Sequence, residues 1–92
     1  MQKTSLTVIN EVGLHARPAS EFVKLASQYH STITVRNLTG ESAAVDAKSI
    51  LSVLTLGVEK GHQIELTSEG EDEEQAIQAL RELIESDFAG MF

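Results

Sequence analysis

Ninety-two residues are enough for one hydrophobic core and too few for two, so a single domain over residues 1–92 is expected. The absence of cysteine removes disulfides, thiol chemistry and cysteine-held metals, and a formal charge of −7 removes the basic footprint that nucleic acid binding needs. No apolar run reaches the length of a membrane span and Met1-Gln2-Lys3-Thr4 does not begin a signal peptide, which makes a cytoplasmic protein without membrane insertion the expectation.

In chain order, Ser5-Leu6-Thr7-Val8-Ile9 alternates as a half-buried strand with Leu6 and Val8 on one face, followed by a loop over Asn10 to Gly13. From Ala16 to Tyr29 the apolar residues Ala19, Phe22, Val23, Ala26 and Tyr29 recur at spacings of three and four, one face of a helix. Thr32-Ile33-Thr34-Val35-Arg36 reads as a second strand with Ile33 and Val35 inward. Thr39-Gly40-Glu41 is a turn signal, and Ser42 to Val45 is expected to return as a short antiparallel strand.

The dense apolar stretch Ile50, Leu51, Val53, Leu54 and Leu56 predicts a short helix with Gly57 near its C-terminal cap. After a turn at Lys60-Gly61, Gln63-Ile64-Glu65-Leu66-Thr67 alternates as a fourth strand with Ile64 and Leu66 inward. A polar link from Ser68 to Glu71 leads to Asp72-Glu73-Glu74, acidic residues that favour a helix start. Ile77, Leu80, Leu83 and Ile84 form the buried stripe of that helix, Phe88 extends it and Gly90 ends the pattern. The order β-α-β-β-α-β-α, with one apolar face per strand, predicts an α+β fold: a two-layer open-faced β-sandwich with a four-stranded antiparallel sheet and three helices on one face.

The chemistry gathers in Gly13-Leu14-His15-Ala16-Arg17-Pro18-Ala19-Ser20, where a strand hands over to a helix. Proline is tolerated in the first turn of a helix and disfavours helical backbone just before it, which puts His15 to Arg17 at the helix entrance. Free amides and a partial positive charge there suit an anion. A neutral imidazole is a competent nucleophile near pH 7, and a guanidinium matches phosphate oxygens with its fork of donors. His15, Arg17 and the backbone N–H groups of Ala16 and Arg17 therefore read as a phosphoryl site.

Four segments in order, Gly13 to Ala19, Ala47-Lys48-Ser49-Ile50-Leu51, Leu56-Gly57 and Glu69-Gly70-Glu71-Asp72-Glu73, closely resemble HPr, the histidine-containing phosphocarrier family of the bacterial sugar phosphotransferase system. The resemblance spans nearly the whole chain and implies the same open-faced sandwich. It implies a carrier rather than an enzyme, phosphorylated on Nδ1 of His15 by the phosphoenolpyruvate-dependent enzyme I and discharged to IIA domains of sugar permeases. Two departures stand out: the hairpin from Arg36 to Val45 is longer than usual, and Val12 replaces a small polar residue common in the family.

Ser49 is a natural helix N-cap. By the resemblance it also matches a regulatory serine, which brings in an HPr kinase/phosphorylase and a catabolite-control transcription factor as further partners. The resemblance likewise makes Ile50, Leu51 and Leu54 an apolar docking patch beside His15, with Lys24 and Lys48 adding local positive charge that speeds association. His30 and His62 read as ordinary loop histidines, and three histidines without short spacing make no metal site, so neither metal nor cofactor is expected and the chain is expected to be a monomer. The alternatives are a nitrogen-branch or purely regulatory HPr paralogue and, from a different class, an acylphosphatase-like enzyme, whose glycine-rich loop with a Phe-Arg pair this chain lacks.

Overall fold

The computed structural model describes residues 1–88. Strands β1 (Gln2–Thr7), β2 (Thr32–Asn37), β3 (Val45–Asp46) and β4 (Gln63–Glu69) form one antiparallel sheet in the order β1-β4-β2-β3. Period-2 alternation sets its two faces. Leu6, Ile33, Val35, Ile64 and Leu66 are buried on one side, and the other carries the Arg36–Glu65 cross-strand ion pair at 3.0 Å. Because side chains alternate with a period of two, a one-residue slip of β4 would turn Ile64 and Leu66 to solvent, so the apolar pattern fixes the register.

Three helices cover the apolar side: α1 (Ala16–Ala26), α2 (Ile50–Leu54) and α3 (Glu73–Glu85). Helix α1 buries Pro18, Ala19, Phe22 and Ala26, and α3 buries Ala76, Ile77, Leu80 and Ile84, each at the three-and-four spacing of one helical face. The short α2 buries only Val53 and leaves Ile50, Leu51 and Leu54 partly or largely exposed. This is the open-faced sandwich that the periodicity predicts. No helix among the described residues is long and apolar enough to cross a membrane.

Boundaries differ from the sequence reading wherever long-range pairing decides them. Strand β1 begins at Gln2 because Gln2, Lys3 and Thr4 pair with Ser68, Thr67 and Leu66. For the same reason Ser68 and Glu69 belong to β4 rather than to a polar link. Val8 lies just beyond β1 yet is fully buried, and its N–H still donates to the His62 carbonyl at 2.9 Å.

Helix α1 stops at Ala26, so Tyr29 packs on the core from the following turn instead of from the helix. The third strand is two residues at Val45–Asp46. Ser42, expected to begin it, instead closes the loop, its hydroxyl accepting the Asn37 N–H at 2.8 Å and its own N–H donating to the Asn37 carbonyl at 3.0 Å. Leu83 is half-buried at the edge of the α3 stripe, while Phe88 continues it and is fully buried. Gly90 lies outside the described residues.

Candidate functional site

The segment before α1 is built from short polar contacts and one close backbone approach. Asn10, itself buried, uses its side-chain oxygen to accept the Val12 N–H at 3.1 Å, and its carbonyl accepts the Gly13 N–H at 3.0 Å. Its amide nitrogen donates to Asp87 at 3.0 Å, which ties this loop to the turn after α3. Gly13 has φ +67°, a left-handed conformation that L residues disfavour, and a Cβ added there would fall 2.1 Å from the Val58 carbonyl oxygen. The Leu14 N–H then donates to that same oxygen at 3.0 Å while the Leu14 side chain is fully buried. His15 therefore follows a backbone fixed on both sides.

His15 is the N-cap of α1, with extended backbone (φ −125°, ψ 164°) and no side-chain cap hydrogen bond. Its ring is thus left for other work. Ala16, the first helical residue, has φ +51°, a strained value for a residue with a Cβ that costs on the order of 1 kcal/mol. Ala16 and Arg17 stand in the first turn, where no preceding turn supplies carbonyls for their amides, and the Pro18 that follows has no N–H to satisfy.

The His15 side chain is 37% exposed, and its Nε2 lies 2.9 Å from Oε2 of Glu59. A carboxylate only accepts, so Nε2 carries a proton in this contact, and in the neutral ring that leaves the lone pair on Nδ1. Glu59 sits in a tight loop: its N–H donates to Nδ1 of His62 at 3.1 Å, and its carbonyl accepts the His62 N–H at 3.0 Å. Asn37 Nδ2 lies 3.2 Å from the same His62 nitrogen. The neighbouring Lys60 pairs with Glu11 at 2.6 Å, holding that carboxyl below its ordinary range while Glu11 holds the Lys60 ammonium above its own. A hydrogen bond from His15 and an ion pair from Glu11 therefore join the loop before α1 to the loop before β4.

Arg17 is exposed on the first turn of α1, two residues from His15. Lys24 is exposed in the last turn of α1, about 12 Å along the helix axis from Ala16. Lys48 donates from Nζ to the Tyr29 carbonyl at 2.6 Å, beyond the C-terminal end of the same helix. Both lysines thus lie at the far end of α1 from His15.

Ser49 caps α2, its half-buried side chain accepting the Ser52 N–H at 3.3 Å. Helix α2 packs against α1, and the chain reaches Val58 four residues after Leu54, so the Leu14–Val58 contact links the end of α2 to the backbone beside His15. Leu51, at 74% exposure, is the most exposed of the three apolar residues there.

Glu59, His62 and Asn10 are the contributors that sequence reading missed. Glu59 is 44 residues from His15 and carries no motif, and His62 reads as a loop residue. Gly13, two residues before the histidine, is the local signal that could have pointed to a close backbone approach. Among the described residues, no group of three or more histidine, aspartate or glutamate side chains is placed to hold a metal ion.

Comparison with known proteins places residues 2–86 on the family model for the PTS HPr component phosphorylation site. The chain is 45% identical over 80 residues to the multiphosphoryl transfer protein of Haemophilus influenzae, covering 87% of this chain but 16% of that protein. It therefore spans less than a fifth of that relative's length. It is also 45% identical over 84 residues to the phosphocarrier protein HPr of Lysinibacillus sphaericus, covering 91% of this chain and 92% of that one. The crystal structure of HPr-C-His from Thermoanaerobacter tengcongensis superposes with a TM-score of 0.92 at 43% identity, with each chain fully covered.

Proposed function

The chain belongs to the HPr family of phosphotransferase-system components, and we propose that it carries a phosphoryl group between proteins on Nδ1 of His15. One observation carries this reading: a partly exposed histidine at the mouth of a helix, with Nε2 bonded to Glu59 and Nδ1 left as the nucleophile. Arg17 and the amides of Ala16 and Arg17 receive the phosphoryl oxygens at the start of α1. The protein is then a substrate of phosphotransferases rather than an enzyme. Its donor is enzyme I and its acceptors are IIA domains of sugar permeases, met in the cytoplasm. Residues 1–92 act as one carrier domain, whether alone or within a longer chain.

Partners dock on the apolar surface of α2, through Ile50, Leu51 and Leu54. Lys24 and Lys48 supply positive charge at the other end of α1, a secondary contact that steers acidic partners. Ser49 is the regulatory position, phosphorylated by an HPr kinase/phosphorylase and read in that form by a catabolite-control transcription factor. A dianion there is tolerated by the cap but repels acidic partner surfaces.

The test is a chase. Protein labelled by enzyme I and phosphoenolpyruvate is mixed with an isolated IIA domain, using wild type and Ser49→Asp. Wild type is expected to pass its label to the IIA domain, and Ser49→Asp to accept label more slowly. Repeated hydrolysis of an acyl phosphate with no retained label would replace the carrier reading with a phosphatase, and an equal rate of labelling in Ser49→Asp would remove the regulatory role.

A further inference from the structure

We propose that Glu59 is a positioning residue for phosphoryl transfer, holding a proton on Nε2 of His15 throughout the cycle; the inference rests on the carrier reading above. Three observations converge on it. The Glu59 carboxylate and Nε2 are 2.9 Å apart, so the neutral ring presents its lone pair at Nδ1. The Glu59 backbone is pinned by two contacts with His62, and Val58 beside it receives the Leu14 N–H, so both partners of the bond are placed by one backbone contact between their loops. The carboxylate is 62% exposed and, among the described residues, its hydrogen bond is to His15, which leaves that bond as its evident task.

The transfer balances without any further proton carrier. The Nδ1 lone pair attacks the phosphorus of the donor protein's phosphoryl group, and the donor's bond to phosphorus breaks with its electron pair returning to the donor atom. The His15 ring then bears a phosphoryl group on Nδ1 and a proton on Nε2, and its positive charge faces the Glu59 carboxylate. On discharge the new P–N bond breaks, its electron pair returns to Nδ1, and the ring leaves as the same neutral tautomer. A ring that stays protonated at Nε2 is the better leaving group, so Glu59 keeps the phosphoryl group transferable. The carboxylate sits at the opposite nitrogen, with the ring between it and the incoming phosphate.

The tautomer of unphosphorylated, neutral His15 is read from its ring ¹⁵N chemical shifts in wild type, Glu59→Ala and Glu59→Gln. Wild type is expected to show a protonated Nε2 and an unprotonated Nδ1. In Glu59→Ala the ratio of Nε2–H to Nδ1–H is expected to fall about 2- to 5-fold, the effect of losing one exposed charged hydrogen bond. Glu59→Gln offers Nε2 both an accepting oxygen and a donating amide, so it is expected to leave the ratio lowered, as in Glu59→Ala. Lacking the charge, its phosphorylated form is expected to hydrolyse about 2- to 5-fold more slowly than wild type.

An unchanged tautomer ratio in Glu59→Ala, or a wild-type hydrolysis rate in Glu59→Gln, would overturn the proposal. Failure of the carrier reading shows up separately, as a wild type that takes no phosphate, because the tautomer is measured on the unphosphorylated protein.

Discussion

A methyl group on Gly13 would sit 2.1 Å from the Val58 carbonyl oxygen, in a backbone conformation (φ +67°) that a side chain already disfavours. The overlap is with backbone, so no rotamer change relieves it, and the two loops that place His15 and Glu59 must separate. Gly13→Ala is therefore expected to lose about 2–4 kcal/mol of stability in urea unfolding, from overpacking and left-handed strain together. The same substitution should lengthen the His15–Glu59 contact. A loss below about 0.5 kcal/mol would show that the approach is softer than described. Ala16 is a second left-handed residue (φ +51°), at the start of α1, so backbone strain brackets the four residues that end at the proposed phosphoryl site. Sequence reading saw His15, Ala16 and Arg17 there because residue type and neighbours define a helix entrance. It could not see Glu59, because a contact across 44 residues leaves no local mark.

Helix α3 starts where an acidic cluster predicts, with Asp72 as its N-cap residue, but the Asp72 side chain makes no cap hydrogen bond. Its carboxylate accepts the His30 N–H at 2.8 Å and the Ser31 N–H at 2.9 Å, and also takes the Ser31 hydroxyl, joining the start of α3 to the entrance of β2. Those bonds, the Ser31 hydroxyl foremost and the His30 amide next, hold the Asp72 carboxyl at about 2, below its ordinary 3.8. A folded-state value below the unfolded one contributes stability that is present above the unfolded value. That stability is lost as pH falls from about 4 through about 2. Glu11 and Glu73 are depressed in the same sense, by Lys60 and by the N-terminal ammonium. The share belonging to Asp72 is thus the difference between wild type and Asp72→Asn. Asp72→Asn should be less stable at pH 5 and should lose less than wild type on acidification to pH 2, and parallel curves would remove Asp72 from this role. The elements themselves were legible from periodicity, and their ends were not. Polar Gln2 to Thr4 become strand by pairing with β4, and Ser68-Glu69 by pairing with β2, while Ser42 leaves β3 because its hydroxyl bonds Asn37.

Across the whole molecule, an antiparallel sheet with one covered face brings the loop after β1, the end of α2 and the loop before β4 to the same place. His15 stands at that junction and at the head of α1, so one partly exposed ring meets a helix start and a carboxylate. The histidine, the arginine and the capping serine were legible from residue type and neighbours, and the family resemblance added only the roles expected of them. The pinning of the histidine by Asn10, Gly13, Val58 and Glu59 comes only from the folded chain. A net charge of −7 fits the proposed function, in which partners are reached by an apolar surface and a few cations rather than by a basic face. The central claim is that His15 holds the phosphate. Intact-mass measurement after incubation with enzyme I and phosphoenolpyruvate should find one phosphoryl group on wild type, lost in acid, and none on His15→Ala. A phosphoryl group that survives acid, or that persists on His15→Ala, would contradict the account.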